Sequence, residues 1–462
     1  MVRALALVTM PVLTRYLSPQ AYGEAALVGT VVSLTTVFAL AGIDMGYARH
    51  IFSGQLGRSD AVEVFCWRWT QAVAGALAVL VGMLWWMWAD AFNLPASLAG
   101  FITLGIFASA LATLAQTKAR LEGRYARMSW VHIATGCAGA AVSVGIAIFW
   151  RQDAWSLLVA MVLGYALPVL LLGMPSWRRL ALPSGLGRAE RRRLLATGLA
   201  GVVTAPAYWA VSSSDRWFLA AFHDTAVVGI YSIGYTVGTV GAVVSMAVTS
   251  AWLPELARAE SAGGDGFGSG KADMVQLLAA ILMIVAVAVA AAGGDVIRAL
   301  ADPRFHSAAM VVPLLAAGVL FFGCQQVGNA LLVLAGKLHW AGFAWGIALL
   351  ASLLMNRWLV PVHGAFGAAV TQTASFLLVM LHVWAATLRF ESLRLHWPRL
   401  AAGFALSVVV AAVMQAAWAP VAWHSLLLKL PMGLIFAGAC LRIVAPEMFM
   451  AGLGKLQRRG VA

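Results

Sequence analysis

Apolar stretches of roughly 20 residues recur about fourteen times along this chain, with few charges inside them. A helix rises about 1.5 Å per residue, so each stretch covers a hydrocarbon core of about 30 Å. The pattern predicts spans near 1–14, 24–48, 65–89, 98–117, 128–149, 155–174, 198–222, 227–253, 275–297, 309–335, 340–360, 366–387, 400–419 and 425–446. Backbone polar groups in lipid must be satisfied within each segment, which makes these helices. The fold class expected is an all-α integral membrane protein.

Charge sets the orientation. Of 31 Lys and Arg, 24 fall in or beside every second connection, including Arg49, Lys118 and the cluster Arg188, Arg191, Arg192 and Arg193. The other connections and their helix ends hold only Arg15, Arg151, Arg216, Arg298, Arg304, Arg357 and Lys429. The positive-inside rule then puts both termini in the cytoplasm of a multi-pass protein of the bacterial inner membrane. With 62% hydrophobic and 11% charged residues a water-soluble globule is excluded. The net charge of +13 follows from topology and anionic lipid, so no nucleic-acid partner is expected. Cys66, Cys137, Cys324 and Cys440 lie in apolar spans at wide spacing and suggest neither disulfides nor a metal site.

The first span is short: 14 residues reach only about 21 Å. This favours further residues upstream, or a helix only partly embedded. No signal-peptide pattern precedes it. The connections assigned to the outside are all about a dozen residues or fewer, so no soluble domain is expected there. Segment 175–197 should lie along the inner leaflet, its cations near lipid phosphates. Segment 254–274, with its Gly263–Gly270 run, reads as a flexible linker, because a phosphate-cradling loop needs a preceding strand.

A weak repeat links two helix starts. Arg15-Tyr16 precedes Ala21-Tyr22-Gly23, and Arg216-Trp217 precedes Val227-Val228-Gly229, six spans later. An even-numbered repeat keeps its orientation, as in transporters whose halves are related by an axis along the membrane normal.

Ionisable groups inside spans cost about 2.5–3.5 kcal/mol and mark cavities or partners. The candidates are Asp44, Asp215 with Arg216, and Arg357; Gln325, Gln326 and Asn329 add a polar patch. Snorkelling to headgroups would also account for Arg15 and Arg357, and boundary anchoring for Arg49. Gln71, Gln116, His132, Gln372 and Gln415 read as interhelical hydrogen bonders, and the tryptophans mostly as interfacial belts.

Three segments carry a resemblance: Leu13-Thr14-Arg15-Tyr16-Leu17-Ser18-Pro19-Gln20-Ala21-Tyr22-Gly23 closed by Ala41-Gly42-Ile43-Asp44; Ser212-Ser213-Ser214-Asp215-Arg216-Trp217-Phe218-Leu219 followed by Val228-Gly229-Ile230-Tyr231-Ser232; and Val360-Pro361-Val362-His363-Gly364-Ala365-Phe366-Gly367-Ala368-Ala369. In this order they resemble the polysaccharide-transporter family, the Wzx-type flippases for O-antigen, capsule and exopolysaccharide units within the superfamily of multidrug exporters and lipid II flippases. The resemblance implies two parallel six-helix lobes around a central cavity, over 1–185 and 186–395, and two further helices with a basic cytoplasmic tail over 396–462. It implies a transporter rather than an enzyme, turning an undecaprenyl-diphosphate-linked oligosaccharide across the membrane by alternating access. Arg15, Arg49, Arg216 and Arg357 would contact the headgroup, since guanidinium forks match phosphate oxygens. Ser213, Gln326 and Asn329 would hydrogen-bond sugars. Asp44 and Asp215 would hold the arginines or carry a coupling proton or Na⁺, with no other cofactor. Membrane lipids, and a polysaccharide polymerase or chain-length regulator, would be its partners. The competing classes are a cation-coupled multidrug exporter and a membrane polymerase or ligase. Short outer connections without a nucleophile–base constellation argue against the last.

Overall fold

The computed structural model describes residues 2–53, 59–181, 185–199, 204–247, 249, 267–391, 393–448 and 450. Of the linker expected over 254–274, residues 254–266 lie outside the described residues, as does the basic C-terminal tail, and 267–274 are helical rather than linker. The last part of the glycine-rich run is helical, because a helix begins at Phe267. Among the described residues all regular structure is helical. The helices are α1 Val2–Tyr16, α2 Pro19–Leu40, α3 Ile43–Ser53, α4 Ser59–Trp88, α5 Ala99–Leu121, α6 Tyr125–Phe149, α7 Trp155–Leu172 and α8 Trp177–Ala181. They continue as α9 Arg188–Leu199, α10 Thr204–Phe222, α11 Thr225–Gly238, α12 Phe267–Leu300, α13 Val312–Leu334, α14 His339–Phe390, α15 Trp397–Met414 and α16 Ala422–Val444.

Among the described residues ten helices are long and apolar enough to cross a membrane. That measure stops short of fourteen for identifiable reasons. Apolar helices Leu5–Tyr16 and Thr225–Gly238 are too short for it, and α10, which carries Asp215 and Arg216, is not among the ten. In addition α14 is two helices merged across Gly364, at φ 52° and ψ −131°. The surfaces fit lipid. Phe149, Trp358 and Leu434 are 87%, 77% and 74% exposed, each a large apolar side chain better matched to lipid than to water.

Packing divides the chain into two units, Met1–Gly229 and Ile230–Ala462. In the first, Ser18 caps α2, its hydroxyl accepting from the Ala21 N–H at 3.1 Å, with Pro19 preset for the first turn. The same helix ends at Leu40, because Ala41 and Gly42 turn left-handed at φ 47° and 71°. The span expected over 24–48 is therefore two elements, and α3 is separate. It packs chiefly on α9, α4 and α5, and Ile43 and Tyr47 join Trp67, Leu114 and Leu194 in one buried cluster. Helices α4 and α5 are tied by Lys118 Nζ to Glu63 Oε1 at 2.5 Å.

In the second unit α13 packs on α12 and on α14, and α15 and α16 both pack on α12. The break in α14 explains the Pro361–Ala369 segment. Proline interrupts the helix, Gly364 reverses the backbone, and a Cβ at Gly367 would lie 2.5 Å from the Leu359 carbonyl oxygen. A side chain at 367 would force the tight turn open.

Candidate functional site

Helix α10 presents the best-built charged site of the first unit. Asp215 is 1% exposed and Arg216 8%. Asp215 Oδ1 accepts from the Arg216 backbone N–H at 2.8 Å and from its Nη1 at 3.4 Å, while Nη1 also donates to the Ser212 carbonyl at 3.1 Å. Adjacent residues point about 100° apart, yet the long guanidinium stem folds back along the helix to reach its neighbour's carboxylate. Ser213 is buried in the same turn. Burying two ions costs several kcal/mol each before pairing, which makes this pair the candidate site of α10. Trp217, the next residue, anchors α10 to α2, donating Nε1 to Thr30 Oγ1 at 2.9 Å and meeting the Trp85 ring edge-on at 6.3 Å.

The two helix starts of the weak repeat meet each other. A Cβ at Gly23 would lie 1.8 Å from the Thr225 carbonyl oxygen, and one at Gly229 would lie 1.8 Å from the Pro19 carbonyl oxygen. The contact is reciprocal, backbone on backbone, and only glycine allows it. Beside it Glu24 is buried and accepts from Gln20 Nε2 at 3.0 Å.

The other first-unit candidates stand apart from α10. Arg15 is exposed in the last turn of α1. Asp44 is half-buried in the first turn of α3, where a carboxylate suits the helix dipole, and Arg49 is exposed further along. Helix α3 leans on α9, whereas α10 leans on α2.

In the second unit Gln326 and Asn329 are half-buried on α13, and Asn329 Oδ1 has no hydrogen-bond partner among the described residues. Gln325 on α13 and Gln276 on α12 likewise hold unpartnered, buried amide oxygens. Arg357 is exposed on α14 beside buried Asn356. An apolar cavity of about 620 Å³ opens among α12, α13, α14 and α15, lined by residues such as Met283, Phe321, Trp384 and Phe404.

Sequence reasoning passed over two acids. Glu24 is one. The other is Asp295 on α12, 0% exposed, which accepts from Lys429 Nζ at 2.6 Å and Ser425 Oγ at 2.9 Å on α16, and from Arg298 Nη2 at 2.5 Å. The signal was present: each is an acid inside an apolar stretch. Lys429 was legible only as one more basic residue near the outer boundary. Among the described residues no cluster of three or more His, Cys, Asp or Glu could hold a metal.

This architecture has known counterparts. It aligns with a lipid II flippase, MurJ, in an inward closed conformation, with TM-score 0.70 at 11% identity over 97% of each chain. An inward-facing multidrug resistance MATE transporter of the MOP superfamily aligns with TM-score 0.59 at 11% identity, over 85% of this chain and 94% of that one. The Vibrio cholerae MATE transporter VcmN in its bent form aligns at 0.50 and 12%, over 85% and 98%. The multi-pass helical fold is thus shared with these structures. A family profile described as polysaccharide biosynthesis protein matches residues 12–310, and the chain belongs to that family. A comparison with curated proteins finds no match. The resemblance drawn from residues 13–44 and 212–232 falls within the matched region; the 360–369 segment lies beyond it.

Proposed function

We propose that this protein is a flippase for an undecaprenyl-diphosphate-linked oligosaccharide, carrying it from the cytoplasmic to the periplasmic leaflet of a bacterial inner membrane. Membership of a polysaccharide biosynthesis family, on a fold shared with a lipid II flippase, supports a lipid-linked glycan as substrate. The observation that carries the reading is the buried Asp215–Arg216 pair on α10, a guanidinium held ready inside an apolar helix. Arg15, Arg49, Arg216 and Arg357 take the diphosphate at successive stages. Ser213, Gln326 and Asn329 hydrogen-bond sugars, and the unpartnered Asn329 amide oxygen suits a sugar hydroxyl. Asp44 and Asp215 restrain the arginines or carry a coupling proton or Na⁺. The apolar cavity of the second unit suits the lipid tail. The chain acts as a six-plus-six-helix pair of lobes over 1–185 and 186–395, with two added helices, both termini cytoplasmic, supplying a polymerase and its chain-length regulator.

The test is the sidedness of lipid-linked oligosaccharide in a deletion strain, read with a periplasm-restricted glycan-cleaving enzyme. Protected intermediate that becomes accessible on complementation, but not with Arg216→Ala, supports flipping through this site. Intermediate already outside and unpolymerised points to an assembly enzyme. Unchanged intermediate points to a drug exporter, the activity named for the MATE neighbours.

A further inference from the structure

Helix α9 is a two-faced element. Its apolar side is buried, with Leu194 at 0% exposure in the cluster that also holds Leu186, Ile43, Tyr47 and Trp67. Its other side carries Arg188 and Arg192, one turn apart, with Arg193 about 100° further round. These three line a recess of about 450 Å³. Three other charged residues of the segment, Arg191, Glu190 and Arg179, have contacts of their own. Arg191 donates Nε to the Leu186 carbonyl at 3.0 Å and lies 5.8 Å from the Phe65 ring centre. Glu190 Oε2 accepts from the Gly187 N–H at 2.8 Å, and Arg179 faces Asp60 at 3.8 Å.

Helix α3 adds a fourth guanidinium. It lies so close to α9 that a Cβ at Gly46 would sit 2.7 Å from the Leu194 carbonyl oxygen. Arg49 of α3 and Arg193 of α9 both act electrostatically on His50. Burial first, and then the charges of those two arginines, hold the His50 imidazole below its ordinary proton affinity. The positive-inside rule asks only for cations somewhere in an inner connection. It does not ask for three guanidiniums around one recess, where a bound anion would offset their mutual repulsion.

We propose that Arg188, Arg192 and Arg193 of α9, with Arg49 of α3, form a docking site for the diphosphate of a lipid headgroup. The inference rests on the flippase reading and deepens it, giving the headgroup a landing place on the face assigned to the cytoplasm. The chemistry selects the ligand. Arginine forks bind phosphate oxygens in pairs, and a diphosphate offers two adjacent phosphates where an ordinary anionic lipid offers one. The apolar face fixes α9 in place, so only the arginine side chains remain to be ordered on binding.

The experiment uses the full chain in nanodiscs of zwitterionic lipid, with undecaprenyl diphosphate as probe and phosphatidylglycerol as competitor. The variants are Arg188→Gln/Arg192→Gln/Arg193→Gln and, separately, Arg188→Lys/Arg192→Lys/Arg193→Lys, all at exposed positions that leave the buried face intact. The glutamine variant is expected to weaken binding by about ten- to a hundredfold, the range of one or two lost charge-assisted contacts. The lysine variant keeps the charge and loses the forks, so it should fall between. Unchanged binding in the glutamine variant overturns the site. Equal displacement by phosphatidylglycerol at equal concentration also overturns it, leaving a general anionic-lipid surface. Absence of binding by the native chain overturns it too. The sidedness assay on the native chain then separates the two readings, since it reports transport whether or not this face binds.

Discussion

Asp295 on α12 and Lys429 on α16 form an ion pair of 2.6 Å, with 0% and 4% of their side chains exposed. Lys429 also donates to the Ala291 carbonyl at 2.9 Å, and Ser425 adds a hydroxyl to the same carboxylate oxygen at 2.9 Å. The last helix of the second unit is therefore fastened to α12 by polar chemistry as well as by packing.

Removing one partner of such a pair strands the other. Lys429→Met should destabilise the protein by up to about 3 kcal/mol, below the usual maximum because Arg298 and Ser425 still serve Asp295. Asp295→Asn combined with Lys429→Met should recover part of that loss. Thermal unfolding in detergent checks both, and a double variant no better than Lys429→Met alone would reject the pairing argument.

The reciprocal contact of Gly23 with Thr225 and of Gly229 with Pro19 leaves no room for a methyl group. Gly23→Ala or Gly229→Ala should lower the melting temperature and impair complementation. Gly29→Ala, on the same helix with open space around it, should be neutral or gain up to about 1 kcal/mol. If all three behave alike, the close approach is not what constrains these positions.

Arg216 bridges Asp215 and the Ser212 carbonyl through one guanidinium nitrogen. Arg216→Lys keeps the charge but not the fork, and should reduce transport by about tenfold in the sidedness assay, with Arg216→Ala lower still. Full activity in the lysine variant would show that charge alone suffices.

Asp302 caps the 3-10 helix Pro303–Val311, accepting from the Arg304 backbone N–H at 3.1 Å and side-chain Nε at 2.8 Å. The Arg304 side chain, and then its backbone N–H, hold the Asp302 carboxyl below its ordinary value. A depressed carboxyl contributes stability that is complete above its unfolded pKa of about 3.9 and fades as pH falls through the folded value. The melting gap between native protein and Asp302→Ala should thus be full near pH 7 and shrink below about pH 4. A gap independent of pH would assign the effect to the cap geometry alone.

Much of this was legible in the residues. Stretches of 20 apolar residues satisfy their backbone in lipid as helices, so the residues alone carry that much. The Ser18-Pro19 start of α2 and the Pro361/Gly364 break in α14 were equally readable, because proline and glycine act locally. The Leu40 end of α2 was less so: Ala41 takes a left-handed turn that its residue type does not announce. Glu24 and Asp295 carried a readable signal, yet their partners did not. Gln20 is one turn away, whereas Lys429 is 134 residues along the chain.

By itself, then, the sequence determined the class: hydrophobicity and the rise of a helix fix the spans, and the alternation of basic residues fixes their expected direction, since both are summed along the chain. Only the tertiary structure decided which charges meet. It folded Arg216 back onto its own neighbour and joined α12 to α16 through Asp295 and Lys429. Such pairings depend on helix rotation and close approach, quantities of a few ångströms that linear spacing does not encode.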